Sequence, residues 1–290
     1  MMTISQKKPL SPVIIIGMHR SGTSMIAKML EELGLFSGVC KDRNHEAMFF
    51  QKLNDWIFRQ CGTTWDHPAS MQYLMENRDV RDMVENYTRY SLRTPRSIGY
   101  LGWKRYAQYL DISHLDIPWG WKDPRNTYTL PVWKDLFPGA RVIHIYRHGV
   151  DVANSLKVRQ DRVLAYEKSI YQKRRLFYFF IPKRSPFTHS VRCSTLEGGF
   201  SLWEEYLREA RNHLSELGGR AMEIKYEDFI QNPHDSLKAL AAFCCLPVDN
   251  TTVEKLAGTV IKGRVYAFRS APELKTFADT VTARLRENGY

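Results

Sequence analysis

The chain has 290 residues, 43% of them apolar, which is enough for a sizeable core and bounds it to one large α/β domain or two small ones. Its 42 basic residues against 31 acidic give a formal charge of +11, which favours an anionic partner (a nucleotide, a sulfated or phosphorylated acceptor, nucleic acid or a membrane surface) without choosing among them. Five cysteines without metal-ligand spacing argue against a zinc module or a disulfide scaffold and predict reduced thiols of a cytoplasmic protein, with Cys244 and Cys245 as small apolar filler on a helix. The N-terminal stretch MMTISQKKPLSP carries no apolar segment long enough for a signal peptide, and Val13 to Ile16 falls far short of the ~20 residues that span a bilayer.

In chain order, Val13 to Ile16 reads as a β-branched strand covered on both faces. A helix over 22–33 follows, with Met25, Ile26, Met29, Leu30 and Leu33 on one side and Gly34 as its stop. Further helices are predicted through Phe49, Leu53, Trp56 and Ile57, and over 78–93. A short strand is expected at 119–122, then a helix through Leu130, Trp133, Leu136 and Phe137. "FPGARVIHIYRHGVDVANSL" repeats the turn, strand, turn, helix order, with the strand at 141–146 and a helix opening at 150–156. After an irregular basic region comes a strong helix near 200–217, ended by Gly218 and Gly219. "AMEIKYEDF" reads as a strand, and Asn232 with Pro233 as the start of another helix. Strands separated by helices predict a three-layer α/β/α fold around a central parallel sheet, and no Pro/Gly-rich linker divides residues 1–290.

Residues 17–24, GMHRSGTS, keep the two-glycine spacing of a phosphate-binding loop, but Thr23 stands where its lysine is expected. The glycines let successive N–H groups turn inward and the helix N-terminus adds partial positive charge, so the loop still suits an anion. Ser21, Thr23 and Ser24 add hydroxyl donors, and Arg20 adds a full charge with planar geometry. The later strand "RVIHIY" ends in Arg147, where a nucleoside triphosphatase carries a magnesium-binding acid, and Ser155 follows eight residues on. Two anion sites without an evident Mg²⁺ ligand set fit a nucleotide that bears phosphate groups at both ends.

These residues carry a resemblance. The segments "IIIGMHRSGTSMIAKML", "WGWKDPRNTYTLPVW", "FPGARVIHIYRHGVDVANSL" and "EIKYEDFIQNP", in that order over 14–233, resemble the sulfotransferases that use 3′-phosphoadenosine 5′-phosphosulfate (PAPS), in particular the bacterial and glycan-modifying branches with their P-loop-like fold. The resemblance implies that Arg20, Ser21, Gly22, Thr23 and Ser24 hold the 5′ end, and that Arg147 and Ser155 hold the 3′-phosphate. It implies PAPS as donor, 3′,5′-bisphosphoadenosine (PAP) as product, and no metal.

Sulfuryl transfer asks the enzyme to position groups and to stabilise charge on the leaving phosphate. Arg20 and Lys122 are the best-placed cations for that oxygen. The acceptor must also lose a proton, and Glu46 is the first candidate base, with His45 and Asp123 as the others; Asp123 is better suited to orienting Lys122 or Arg125 through an ion pair. The histidine base of the cytosolic small-molecule branch has no counterpart in "WKDPR". Tyr226 is expected at a strand end lining the nucleotide pocket, with Lys262 and Arg264 as further cofactor contacts.

Between Lys157 and Arg192 stand ten Lys or Arg against Asp161 and Glu167 alone, interleaved with aromatic residues. This basic aromatic insert, about 157–195, reads as a lid or acceptor flap, a membrane-surface patch or an oligomer contact. The expected acceptor is a small molecule or glycan, with carbohydrate leading; nucleic acid is not expected and a homo-oligomer is possible. The rival functions are a P-loop kinase or NTPase-like phosphotransferase and a non-catalytic polyanion-binding protein. Thr23 and Arg147 both count against the first.

Overall fold

The computed structural model describes residues 8–247 and 249–290; the first seven residues of the N-terminal stretch considered above lie outside the described residues. Strand β1 (Val13–Ile16) leads to α1 (Thr23–Glu32), α2 (Met48–Gln60), α3 (Met71–Glu76), α4 (Arg78–Ser91) and α5 (Ile98–Tyr109) before β2 (Gly120–Lys122). Helix α6 (Asn126–Leu136) connects β2 to β3 (Arg141–Tyr146), and α7 (Gly149–Arg174) and α8 (Leu196–Leu217) connect β3 to β4 (Ala221–Lys225). The chain ends through α9 (Tyr226–Gln231), α10 (Pro233–Phe243), α11 (Asn250–Gly258), α12 (Pro272–Thr280) and α13 (Thr282–Glu287).

The four strands are parallel and lie in the order β2-β1-β3-β4, with Val13 opposite both Gly120 and Arg141, and Val142 opposite Ala221. Alternation along β1 divides the core. Ile14 and Ile16 face Phe50, Leu53, Trp133, Leu156 and Trp203 from α2, α6, α7 and α8. Val13 and Ile15 face Ile26, Leu30, Phe229 and Leu240 from α1, α9 and α10. With both faces covered, every residue of β1 is buried, as its unbroken β-branched run requires. Phe50 lies flat on Trp121, ring centroids 3.9 Å apart and planes 5° from parallel, with Trp133 edge-on. The fold is therefore the expected three-layer α/β/α arrangement about a parallel sheet.

Three local expectations change. The region after Leu156 is not irregular: α7 continues unbroken to Arg174, because residues 157–174 contain neither Gly nor Pro and Lys157 pairs with Asp161 one turn on at 2.7 Å. "YEDF" does not extend β4. Tyr226 opens α9, whose first turn takes Glu227 and Asp228, where the helix dipole favours carboxylates. Helix α10 stops at Phe243, so Cys244 is a buried residue just past its end and Cys245, at φ 53°, is exposed in the turn rather than on a helix. Among the described residues no helix is long and apolar enough to cross a membrane.

Candidate active site

The order of the strands creates the crevice. From β1 the chain crosses to β2 on one side, then returns past β1 to β3 on the other, so the C-terminal tips of β1 and β3 are neighbours whose connections diverge. Ligands of open α/β sheets bind at such a switch point. The loop 17–22 leaves the tip of β1, and Arg147 leaves the tip of β3.

The loop is shaped by two glycines. Gly17 sits at φ +129°, and a Cβ there would stand 2.3 Å from the Ile145 carbonyl oxygen of β3. Gly22 sits at φ +97°, and a Cβ there would stand 2.5 Å from the Tyr226 ring. Arg20 adopts φ +71°, a left-handed conformation that costs an L residue about 1–2 kcal/mol and that folded proteins concentrate at functional sites. The Gly17 N–H donates to Thr127 Oγ1 at 3.2 Å. Ser21 Oγ is buried with no partner, and no side chain caps the N-terminus of α1. Thr23 is buried and Ser24 half-buried in the first turn of α1. A hydroxyl left unpaired beside an uncapped helix start is what a bound oxyanion would satisfy.

Four arginines converge on the far end of the loop. Arg20 Nε donates to Ser155 Oγ at 2.7 Å, and its pKa is lowered by burial and then by Arg264, Arg147 and Arg162. Arg147 donates through Nη2 to the Arg264 carbonyl at 2.6 Å and to Asp151 Oδ2 at 3.0 Å. Its guanidinium carbon lies 5.0 Å from the centre of the Tyr226 ring, and its Nε is buried without a partner. Asp151 also accepts from the N–H groups of Ala267 and Phe268, which draws the segment 262–268 over Arg147. Arg264 thus borders the arginine group, while Lys262 on the same short turn is exposed. Tyr226 wedges between Gly22 and Arg147 from the start of α9 rather than from a strand end.

A second group lies at the tip of β2. Lys122 Nζ donates to Glu46 Oε1 at 2.8 Å, with both side chains almost wholly buried. Gln51 donates to Glu46 Oε2 at 2.9 Å, and Arg125 stands 3.9 Å from the same oxygen. Burial pushes the Glu46 carboxyl above its ordinary value, opposed by the Lys122 ammonium. Asp123 is fully buried with both oxygens engaged: Oδ1 accepts from the Arg125 N–H and Nε at 3.0 Å, and Oδ2 from Asn54 at 2.9 Å. That is the geometry of an orienting residue. His45, although next to Glu46 in sequence, points elsewhere: its Nδ1 is 3.4 Å from Glu31 Oε2.

Sequence reasoning passed over His19 as a site residue, and over Trp65, Arg159 and Glu227. The His19 ring meets Trp65 edge-on with centroids 4.8 Å apart. Burial, then Arg159, Lys122, Arg125 and Arg20, hold its pKa well below the usual imidazole value, so it is neutral between the two groups. The Arg159 guanidinium lies 4.9 Å from the Trp65 ring centre, and its Nε is buried without a partner. One signal could have found it: Arg159 is four residues after Ser155, one turn further on the same face of α7. Glu227 accepts from the His148 N–H at 3.0 Å and from the Tyr290 hydroxyl at 2.9 Å, fixing the turn that carries Arg147.

A family model described as the sulfotransferase family matches residues 12–250. The chain belongs to the sulfotransferase family. As a sulfotransferase it is a transferase enzyme. No curated protein matches the chain in sequence. Among solved structures, the sulfotransferase domain from the Synechococcus PCC 7002 olefin synthase is 18% identical, with 90% of this chain and 84% of that one covered at a TM-score of 0.47. The sulfotransferase domain from the curacin biosynthetic pathway is 17% identical over 95% of this chain and 98% of that one, at 0.49. Retinol dehydratase, in complex with androsterone and the inactive cofactor PAP, is 14% identical over 97% and 80%, at 0.38.

Proposed function

We propose that this sulfotransferase moves the sulfuryl group of PAPS to a hydroxyl or amine of an acceptor, with carbohydrate as the acceptor class, by in-line transfer that needs no metal. The observation that carries the reading is the pair of unsatisfied anion pockets at adjacent strand tips. Ser21 Oγ with the start of α1 forms one, and Arg147 Nε with Ser155 forms the other. In this reading Arg20, Ser21, Gly22, Thr23 and Ser24 hold the 5′ end of the nucleotide, and Arg147 and Ser155 hold its 3′-phosphate. Tyr226 and Arg264 wall the same pocket, and Lys262 closes over it from the exposed turn.

PAPS supplies the activated sulfuryl group; the chain's own residues do the rest. Arg20 and Lys122 place positive charge where the leaving phosphate gains negative charge, and burial of Lys122 in a low-dielectric setting strengthens that effect. Glu46 takes the acceptor's proton, and its raised pKa makes it a better base than an exposed carboxylate. Asp123 holds Arg125, and through it the edge of the Glu46 pair. His19, Trp65 and Arg159 form an aromatic and cationic wall beside that pair, which suits a polar, oxygen-rich acceptor. The five cysteines are unbridged, which supports residence in the cytoplasm.

The experiment is a titration of the full chain with PAP in EDTA, paired with PAP release from PAPS in the presence of candidate glycans. Tight metal-independent PAP binding with much weaker ATP binding is the expected result. Failure to bind PAP, or loss of binding when divalent ions are removed, would overturn the reading in favour of a phosphotransferase. PAP binding without turnover on any acceptor would instead leave a polyanion-binding protein.

A further inference from the structure

The far end of α7 carries the largest run of exposed apolar side chains on the described chain. Leu176, Phe179 and Phe180 are 78%, 85% and 81% exposed, and Phe177 and Ile181 are about half exposed beside them. Tyr171, Arg175, Leu176, Phe179 and Phe180 line one shallow depression. The tip is not a loose tail. Tyr171 on α7 stacks on Tyr178 at 5.9 Å and meets Phe187 edge-on at 5.4 Å. Lys183 returns to Glu167 at 2.8 Å, and Thr188 donates to Gln160 at 2.9 Å. The segment 176–187 is therefore folded back on α7 while its largest apolar side chains point away from the protein.

Charge identifies what covers them. From Lys168 to Leu196 the sequence contains no Asp or Glu. Among the described residues, Lys168, Lys173, Arg174, Arg175 and Arg184 have no carboxylate within ion-pair distance, whereas Lys183 and Arg192 are paired. A second copy of the chain seated on this tip would bring five uncompensated cations against five more. A lid over the nucleotide or acceptor would leave the outward-facing phenylalanines in water. An anionic bilayer neutralises the cations and takes up the aromatic and aliphatic groups at its interface.

We propose that residues 168–187 form a docking element for the surface of an anionic phospholipid membrane, with Leu176, Phe179 and Phe180 inserted at the interface and the flanking Lys and Arg on the headgroups. Helix α7 then ties the membrane contact to the strand tip that carries Arg147. The element is separate from the nucleotide site, so docking and PAP binding succeed or fail independently.

The test is co-sedimentation of the full chain with phosphatidylcholine vesicles and with phosphatidylcholine vesicles containing phosphatidylglycerol. Binding to the anionic vesicles only, weakening as salt is raised, is the expected result. The double variant Phe179→Ser/Phe180→Ser should lose about tenfold or more in vesicle affinity, and each of Arg174→Glu and Arg175→Glu should lose at least roughly fivefold. All of them should keep the melting temperature and PAP affinity of the parent, since these side chains are exposed and far from the loop. No binding to anionic vesicles, or binding that survives the Phe179→Ser/Phe180→Ser change, would overturn the proposal. So would self-association in sedimentation velocity that the same double variant abolishes, which would make the covering partner a second copy.

Discussion

Arg20 Nε donates to Ser155 Oγ at 2.7 Å, so the loop after β1 and the helix after β3 are joined across the crevice between the two proposed anion pockets. Each partner belongs to a different pocket. On the other side of Ser155, Arg147 spends its Nη2 on a carbonyl and on Asp151, while its buried Nε has no partner.

Removing Arg147 therefore deletes a charged donor without breaking the loop. Arg147→Ala should weaken PAP binding by the ~1.5–3 kcal/mol of a charge-assisted hydrogen bond or more. Ser155→Ala, which removes a neutral hydroxyl, should cost only about 0.5–1.5 kcal/mol. Calorimetric titration in EDTA measures both. Equal affinity for the parent and Arg147→Ala would take that residue out of the site.

The Lys122–Glu46 pair makes a prediction about pH. A base works only deprotonated, so turnover should fall as pH drops through the Glu46 pKa, which burial raises and Lys122 opposes. Lys122→Met removes the opposing cation; the acid limb of kcat/KM should move to higher pH, on top of a lower rate. Glu46→Gln should keep PAP binding and lose roughly two to four orders of magnitude in turnover, the usual worth of a general base. A fully active Glu46→Gln variant would pass the role to a neighbour, and neutral His19 is the one in place.

The residues of both proposed anion pockets could be named from the sequence because each set is local: a β-branched strand, a turn and a helix start within about a dozen residues determine the position of the donors. What was illegible is non-local. Glu46 and Lys122 were each named from their own segments, but their contact spans 76 residues and depends on how α2 packs against β2. Trp65 and His19 meet only through the packing of a loop on the strand tip, for which no periodicity exists. The length of α7 was misread for a different reason. Its second half has no apolar face against the core, so the hydrophobic pattern ends at Leu156 although propensity carries the helix on to Arg174. Tyr226 was placed on a strand because "EIKY" alternates, and the acidic pair after it, which starts a helix, outweighed that pattern.

Gly22 should respond to substitution differently from Gly34, and the contrast isolates the role of the loop. Both have positive φ, +97° and +105°, but a Cβ at Gly34 meets nothing within 4 Å whereas one at Gly22 strikes the Tyr226 ring. Gly34→Ala should cost only the backbone term of about 1–2 kcal/mol. Gly22→Ala should add about 1–3 kcal/mol of overpacking and should also weaken PAP binding by displacing Tyr226. Chemical denaturation with parallel PAP titrations separates the two. Equal losses of stability, with PAP affinity intact in both, would mean that Tyr226 moves freely and does not shape the pocket.

His148 gives the protein a pH-dependent stability whose sign follows from its surroundings. The ring is 5% exposed, lies against Phe268 with centroids 4.4 Å apart and planes 11° from parallel, and its Nδ1 has no partner. Burial, then Arg269, Lys225 and Arg147, push its pKa down to about 3. The unfolded chain takes up a proton near the ordinary imidazole value of about 6.5 while the folded chain refuses it. The stability associated with this group is therefore whole above that value and is lost as pH falls towards the depressed folded pKa, at up to about 1.4 kcal/mol per pH unit. His19 and His144, whose pKa values are also lowered first by burial, act in the same direction. His148→Phe keeps the flat ring against Phe268 and removes the titrating nitrogen. Its urea midpoint should consequently fall less steeply than that of the parent between about pH 7 and pH 5. A slope identical to the parent's would show that the proton is taken up elsewhere, and that the ring beside Arg147 is as content charged as neutral.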